Sequence, residues 1–289
     1  MPAAGDVKTA GAWAPAHVTA FFKIYPNGST GAGLNIEEGV TTEVHVGAAK
    51  GRGKAEVRIN GKKSAAETSR AVIREFLKHT NGNYNITIRH KTKLPIGYGM
   101  GASGAGALSL ALALNSALGT KLSRKLCEKT ARRAEIECGT GLGDTTAQMN
   151  AGVFYGKKPY PSKTAVRIKT KKRHVALGFF APIKTKNIIR SAEWKGKINR
   201  SGTWCMGHIE KNRNVDALMH CARVFAVETG LATRRVRAVM NEIPEAGQAM
   251  LGETVFMLTN SPASARAALK KHTHRVIVSR IAKKGAHVL

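Results

Sequence analysis

The sequence has 289 residues, which at about 150 residues per domain suggests two domains. Hydrophobic residues make up 43% and charged residues 22%, values near the globular averages that exclude a chain disordered throughout. The 47 Lys and Arg residues outnumber the 18 Asp and Glu residues, and the net charge of +29 calls for an anionic partner: nucleic acid, an anionic membrane or a phosphorylated small molecule.

Predicted strands and helices alternate in the first half of the chain. Four segments favour strands because β-branched and aromatic residues are common in them: 13–24, 41–46, 84–89 and 152–155. Three segments favour helices from their apolar spacing and end signals: 65–78, 103–118 and 123–138. A turn is predicted at 26–29, followed by the glycine-rich residues 31–33, and a second glycine loop is predicted at 139–144.

Lysine and proline residues between 157 and 163 indicate an exposed linker, after which mixed elements resume. Strands are predicted at 166–168, 175–180, 254–258 and 275–279. Helices are predicted at 215–228, 233–241 and 263–271, with a loop at 244–252. Few strand–helix–strand units occur, so the sequence favours an α+β fold over a doubly wound sheet. We expect two domains, at residues 1–158 and 159–289.

The apolar pattern and the cysteine spacing exclude membrane and export classes. The longest mostly apolar stretch, 105–118, is shorter than the ~20 residues that a membrane span requires. Residues 1–15 have no apolar run and carry Asp6 early, so no signal peptide is expected. The four cysteines are widely spaced without a C-x-x-C pair, which argues against zinc and for reduced thiols in a cytoplasmic protein.

The most informative segment is a glycine loop directly before the long apolar helix, PIGYGMGASGAG at 95–106. Glycines at every second position let backbone N–H groups approach an anion closely. The N-terminus of the following helix adds unpaired N–H groups and a positive dipole end, which favour phosphate. The segment lacks the lysine of a P-loop. Gly99-x-Gly101-x-x-Gly104 matches the dinucleotide fingerprint, and a purely structural turn is the remaining alternative.

This loop resembles the phosphate loop of the GHMP kinase superfamily, P-x-x-x-G-L-G-S-S-A, with Ala102 in place of the first serine. The resemblance implies that ATP is bound by nine loop residues: Pro95, Gly97, Gly99, Met100, Gly101, Ala102, Ser103, Gly104 and Ala105. It also implies the two-domain GHMP kinase fold, with a ribosomal-S5-domain-2-like N-terminal domain and a ferredoxin-like C-terminal domain.

Other segments occur where the superfamily has its remaining motifs. Residues 131–144 resemble a helix with a glutamate, followed by a glycine loop and an aspartate. This resemblance implies that Ser103 and Glu135 bind Mg²⁺ and that Asp144 is catalytic, accepting or orienting the proton of the substrate hydroxyl. Residues 244–252 resemble the third motif. The first motif occurs at 15–18, where His17 replaces the usual lysine.

Over residues 14–289 the chain resembles one branch of the superfamily, the archaeal pantoate kinases. The segments that carry this resemblance are 14–22, 29–33, 38–40, 135–148, 181–186, 248–256 and 285–289. It implies phosphorylation of the 4-hydroxyl of (R)-pantoate with MgATP on the archaeal route to coenzyme A, by a homodimer. The substrate carboxylate needs donors or a cation, for which the candidates are Ser29, Thr30, Gly31, His17 and Lys186.

Each of these roles has a structural alternative. Asp144 could cap the helix that follows it, and Ser103 could cap the long apolar helix. Glu137 competes with the implied metal ligand two residues before it, because only one of the two can face the site. Lys186 could be a solvated surface lysine, and His17 a hydrogen-bonded core histidine.

Two other functions stay open. Another GHMP kinase, acting on homoserine, mevalonate or shikimate, would share the same loops. An RNA-binding protein would use the net charge, with basic runs at 169–174 and 234–237 on phosphates. No RRM, KH or zinc-knuckle signature occurs, and the 6% of aromatic residues are too few for a stacking platform. We therefore expect ATP and a small molecule as partners, no membrane, no nucleic acid, and mostly solvated basic runs.

Overall fold

A long antiparallel hairpin is the centre of the N-terminal sheet. Its strands, β1 (Lys8–Tyr25) and β2 (Gly28–Ala48), stay paired along their lengths, with bulges near Ala16 and Ala20. The computed structural model describes residues 7–159 and 165–289. Residues 1–6 and 160–164 lie outside these ranges, and residues 160–163 of the predicted linker are among them.

The turn predicted at 26–29 is shorter in the structure, where β1 ends at Tyr25 and β2 begins at Gly28, and the glycine-rich residues 31–33 are not a loop. Residues 31–33 belong to β2 and pair with β1. A Cβ atom on Gly31 would lie 2.1 Å from the carbonyl oxygen of Phe21. Glycine therefore allows the two backbones to approach closely, which is a regular reason for glycine inside a strand.

Short strands extend the hairpin into a mixed sheet. They are β3 (Ala55–Ile59), β4 (Lys62–Lys63), β5 (Tyr84–Lys91), β6 (Val153–Gly156), β7 (Ala165–Arg167) and β12 (His287–Val288). The order is β12-β1-β2-β5-β3-β4, while β6 pairs with β2 and β7. Neighbouring strands are antiparallel except β3 and β5, which are parallel.

Helices cover one face of this sheet. They are α1 (Glu67–Leu77), α2 (Ala102–Leu118), α3 (Arg124–Cys138) and the short α4 (Asp144–Gln148). The helix α2 is apolar on all sides because it lies between the sheet and α3, and most of its residues are buried. It ends at Gly119, which has the left-handed conformation (φ 64°) typical of a helix C-terminus.

The second half of the chain forms a four-stranded sheet packed by helices. Its elements are β8 (His174–Pro182), α5 (Thr185–Ile189), α6 (Ala192–Lys211), α7 (Val215–Thr229), α8 (Arg234–Glu242), β9 (Gly247–Ala249), β10 (Gly252–Thr259), α9 (Pro262–Lys270) and β11 (Val276–Arg280). The strands are antiparallel in the order β11-β8-β10-β9. Numbered along this half, the order is 4-1-3-2 with helices after the first and third strands, which confirms the ferredoxin-like prediction.

The longest helix, α6, has no counterpart among the sequence predictions. Its glycines at 196, 202 and 207 interrupt the helical pattern. One of them, Gly202, is required by packing: a Cβ atom there would lie 2.3 Å from the carbonyl oxygen of Phe22 in β1. The helix therefore approaches the N-terminal hairpin at backbone distance.

The two halves of the chain share a hydrophobic core. One cluster of buried residues joins β1, β2 and β6 with the second sheet and with α6, α7 and α8. Residues 282–289 return to the first sheet, where β12 pairs with β1 and Ala286 lies in the N-terminal core. The α+β prediction is confirmed, and the division at residue 158 stays a prediction. Among the described helices, none is both long and apolar enough to cross a membrane.

Candidate active site

A cavity of about 850 Å³ lies where the glycine loop meets the hairpin and the second half of the chain. Of the predicted site residues, the ones that line it are His17, Ser29, Thr30, Gly31, Gly97, Gly99, Met100, Gly101, Ala102, Ser103, Asp144 and Lys186. Four others do not line the wall: Pro95, Gly104, Ala105 and Glu135. The structure thus gathers into one place residues that are up to 169 positions apart in sequence.

The glycine loop has the geometry of an anion cradle. Gly97, Gly99 and Gly101 have positive φ angles of 86°, 76° and 58°. A Cβ atom on Gly99 would lie 2.7 Å from the carbonyl oxygen of Met250, so the loop packs tightly against the β9–β10 turn. Gly101 is the N-cap of α2 and no side chain caps this end, which leaves its first N–H groups available to a ligand.

Ser103 is the second residue of α2, so it is not the N-cap that the structural alternative required. Its hydroxyl donates to the Thr68 hydroxyl at 3.3 Å and lies on the cavity wall. The nearby Ser103 hydroxyl also lowers the pKa of Glu135, against the larger effect of burial. The side chain is therefore placed between the cavity and α3.

Glu135 lies behind the glycine loop, and only 1% of the residue is exposed to solvent. Cβ atoms on Gly104 and Gly141 would lie 2.9 Å and 2.8 Å from its Oε2 atom, so both glycines are needed to admit the carboxyl group. Burial raises the pKa of Glu135 well above its ordinary value, and the charge of Asp144 raises it further. Glu137 instead points outward and pairs with Arg74, which settles the choice of the inward residue.

Asp144 begins α4 and faces the N-terminus of α2. The N-cap of α4 is Gly143, so the capping alternative for Asp144 does not hold. A Cβ atom on Gly101 would lie 3.3 Å from Asp144 Oδ2 and 3.4 Å from His17 Cβ, which brings the two side chains to one glycine. Burial raises the pKa of Asp144, and His17 opposes that shift.

His17 is both a core histidine and a residue of the cavity wall. Its Nδ1 atom lies 2.8 Å from Asn35 Oδ1, and its ring stacks on Phe154 with centroids 5.7 Å apart. Burial lowers the pKa of His17, while the nearby Asp144 partly opposes this. Burial therefore disfavours the positive charge that a carboxylate-binding role for His17 would need.

The other predicted substrate residues differ in what they can still bind. The Thr30 hydroxyl donates to the Gly156 carbonyl at 2.6 Å and is therefore already committed. Ser29 lies against Gly143, where a Cβ atom would meet its Oγ atom at 2.6 Å. Lys186 lines the cavity from α5, above the 139–143 loop. Ser29 and Lys186 also line the cavity, and their side-chain polar groups form no hydrogen bond or ion pair with another described residue.

Gln148 was not among the predicted site residues, and it is fully buried beside the glycine loop. Its Nε2 atom donates to the Gly101 carbonyl at 2.8 Å and so fixes the end of the glycine loop. Its Oε1 atom and Glu135 Oε2 have no hydrogen-bond partner among the described residues. A Cβ atom on Gly104 would lie 2.9 Å from both. The signal available in sequence was its i, i+4 spacing from Asp144 on one helical turn.

These unpaired oxygens suit a hard cation. Mg²⁺ prefers oxygen ligands, uses one or two carboxylates, and completes its shell with water and phosphate oxygens. Glu135, which is buried with a free oxygen, and the Ser103 hydroxyl beside it fit that chemistry. Among the described residues, no group of three or more His, Cys, Asp or Glu side chains could hold a metal ion by itself.

The chain is similar along most of its length to proteins of one family. Residues 67–152 match the N-terminal domain of the GHMP kinases. The pantoate kinase of Methanocaldococcus jannaschii is 32% identical over 258 residues, which cover 86% of this chain and 92% of that protein. The pantoate kinase of Methanospirillum hungatei is 30% identical over 258 residues, which cover 86% of each chain.

Two solved structures share the fold. A phosphotransferase related to the CoA biosynthesis pathway superposes with a TM-score of 0.86 at 22% identity, covering 97% of this chain and 98% of that chain. MDDEF in complex with MVAPP, AMPPCP and magnesium has a TM-score of 0.76 at 12% identity, covering 98% and 99%. At these identities the likeness shows that the fold is common to all three chains.

Proposed function

Since the chain belongs to the GHMP kinases, in the family of the pantoate kinases, we propose that it transfers the γ-phosphoryl group of ATP to the 4-hydroxyl of (R)-pantoate. The reaction is a step of coenzyme A biosynthesis. The observation that carries the proposal is the similarity to two pantoate kinases over 86% of the chain, far beyond the glycine loop. The buried acids beside an open anion cradle support the same chemistry.

The ATP phosphates are proposed to lie on the glycine loop and the N-terminus of α2. The positive φ angles at Gly97, Gly99 and Gly101 and the uncapped helix end support this position. Pro95, Met100, Ala102, Gly104 and Ala105 complete the ATP-binding segment. Met100 and Ala105 are buried, so their part is to hold the backbone of the loop in place.

Ser103 and Glu135 are proposed to hold the Mg²⁺ ion that accompanies ATP. The free carboxylate oxygen of Glu135 supports this role. When bound, Mg²⁺ neutralises charge on the transferred phosphoryl group. The protein's own contribution is positional: Gly104 and Gly141 leave room for the Glu135 carboxyl group directly behind the phosphate loop.

Asp144 is proposed to accept or orient the proton of the pantoate hydroxyl as the new O–P bond forms. Its position beside the N-terminus of α2 supports this role, because the reacting oxygen must lie between the acid and the γ-phosphate. Ser29, Gly31 and Lys186 are proposed to bind the pantoate carboxylate. Thr30 is proposed to support them by fixing β2 to β6 through its bond to Gly156.

The test is product identification. The purified protein is incubated with MgATP and pantoate, and phosphorus NMR is used to look for a phosphomonoester on the 4-hydroxyl. Homoserine, mevalonate and shikimate are offered in parallel, with ADP release as a common readout. We expect turnover of pantoate above all. Turnover of homoserine without turnover of pantoate would assign the protein to another branch of the same superfamily.

The proposal extends to the assembly and the location. We propose a homodimer in the cytoplasm, where four free thiols are stable because the compartment is reducing. Sedimentation at micromolar concentration is expected to give twice the chain mass of 30.9 kDa. A single species at the chain mass would contradict the dimer and leave the kinase proposal intact.

A further inference from the structure

The side-chain amide of Asn35 has a single orientation. Its Nδ2 group donates to the carbonyls of Ala147 and Asn150 at 2.9 Å and 2.8 Å, which uses both amide hydrogens. A flipped amide would direct a carbonyl oxygen at two other carbonyl oxygens. Asn35 Oδ1 therefore faces His17 Nδ1, 2.8 Å away.

This orientation decides which nitrogen of His17 carries the proton. Because a carbonyl oxygen can only accept, the hydrogen of the His17–Asn35 bond belongs to Nδ1. A neutral imidazole has one N–H group, so Nε2 presents a lone pair. Asn35 is fully buried and acts as a positioning residue that fixes this tautomer.

The free nitrogen of His17 is on the side of the cavity. Nε2 makes no hydrogen bond with any residue in the described part of the chain, while both His17 and Gly33 line the cavity wall. A Cβ atom on Gly33 would lie 3.0 Å from Nε2. Glycine at this position therefore leaves the nitrogen uncovered. The charged group that faces the ring is Asp144, which raises the pKa of His17 against the larger effect of burial.

We propose that His17 binds a hydroxyl group of the substrate through Nε2, as a neutral hydrogen-bond acceptor, and does not bind the substrate carboxylate. A lone pair repels a carboxylate and pairs with an O–H donor. The inference rests on the proposed function for the identity of the substrate, since pantoate offers two hydroxyl groups. The assigned state of the imidazole does not depend on the substrate.

The first test measures the tautomer directly. Long-range ¹H–¹⁵N NMR of the histidine-labelled full chain distinguishes a protonated from an unprotonated ring nitrogen at neutral pH. The variant His17→Gln identifies the His17 signals among the ten histidines. We expect a protonated Nδ1 and an unprotonated Nε2. A proton on Nε2, with or without one on Nδ1, overturns the proposal.

The second test measures which substrate group His17 binds. Affinities are compared for pantoate, for its two deoxy analogues, and for the analogue with a carboxamide in place of the carboxylate. Loss of the hydroxyl that His17 binds is expected to weaken binding to the wild-type protein about two- to tenfold, the contribution of one neutral hydrogen bond.

His17→Phe keeps the stacking on Phe154 and removes the hydrogen-bond acceptor. In this variant the ratio of the affinities for pantoate and for the deoxy analogue should therefore fall to near one. His17→Gln, whose amide oxygen can still accept, should retain part of it. In both variants the ratio of the affinities for pantoate and for the carboxamide analogue should stay at the wild-type value. Loss of the carboxamide penalty with the deoxy penalty kept would overturn the proposal. If the wild-type protein phosphorylates another alcohol, the proposed function fails, and the same ratios are measured with that alcohol.

Discussion

Asp144 is the residue whose removal tests the proposed reaction most directly. We expect Asp144→Asn to lower kcat about 10²- to 10⁴-fold, because a well-placed acid–base group contributes that much. The change keeps the side-chain shape, so thermal unfolding should remain cooperative. Asp216→Asn, on an exposed turn of α7, is the matched control. Near-normal turnover in Asp144→Asn would remove this residue from the chemistry.

Glu135 allows a prediction about stability as well as activity. Burial raises the pKa of Glu135 above its ordinary 4.5, so its favourable contribution to the free energy of unfolding is present below pH 4.5 and is lost as pH rises through the raised pKa. Without metal, Glu135→Gln should therefore be more stable than the wild-type protein at neutral pH, by about 1 kcal/mol or more. The variant should also show a flatter dependence of stability on pH.

The corresponding measurement is thermal unfolding with and without MgATP. We expect Tm of the metal-free variant to exceed that of the wild-type protein by about 2–4 °C, while MgATP stabilises only the wild-type protein strongly. Glu137→Gln, two residues along the same helix and on its exposed face, is the control and should behave like the wild type. A metal-free variant that is less stable than the wild-type protein would contradict the account of a buried, uncompensated carboxyl group.

The site was predictable from the sequence where backbone chemistry demands particular residues. The glycine loop, Ser103 and Asp144 lie together on the cavity wall, and Glu135 lies directly behind it. Gln148 and Asn35 could not be found in this way, because their roles depend on partners from other elements. The state of His17 also depends on Asn35, 18 positions away, so a charge was assigned to a ring that the fold keeps neutral.

At the scale of the elements, α6 provides a matched pair of glycines. Gly202→Ala should destabilise the protein by about 1–3 kcal/mol, because the new methyl group meets the carbonyl oxygen of Phe22. At Gly207 a Cβ atom has no neighbour within 4 Å, so Gly207→Ala should stabilise the protein by about 0.5–1 kcal/mol. Denaturant unfolding of both variants checks the signs. A destabilising Gly207→Ala would show that the helix packs differently.

The helix α6 and the start of the strand β2 show where the sequence patterns fail. Helices with continuous apolar spacing, such as α1, α3 and α7, begin and end within two residues of their predicted bounds. The α6 pattern is interrupted by glycines, and the first residues of β2, at 28–33, have the composition of a turn. In both cases glycine serves a close contact with β1, and a contact with a distant backbone leaves no local periodicity to detect.

At the scale of the whole molecule, most of the basic residues behind the net charge of +29 lie away from the cavity. The described Lys and Arg residues that line it are Arg124, Lys125, Lys158, Lys184 and Lys186. The basic runs at 169–174 and 234–237 are largely exposed, and neither lines the cavity. The triple variant Lys169→Gln, Lys171→Gln, Lys172→Gln should keep kcat and the KM for ATP within about twofold of wild type, as surface changes usually do. Loss of pantoate turnover in a folded triple variant would give the basic runs a functional role.

The return of residues 282–289 to the first sheet couples the N-terminal half to a segment that follows the second sheet. The edge of β1 is closed by β12, and the N-terminal core receives Ala286. Both lie more than 120 residues after α4. The sheet beside the glycine loop therefore depends on a segment that is distant in sequence. Folding of the N-terminal half is tied to residues 282–289, so the candidate site is complete only when that segment is in place.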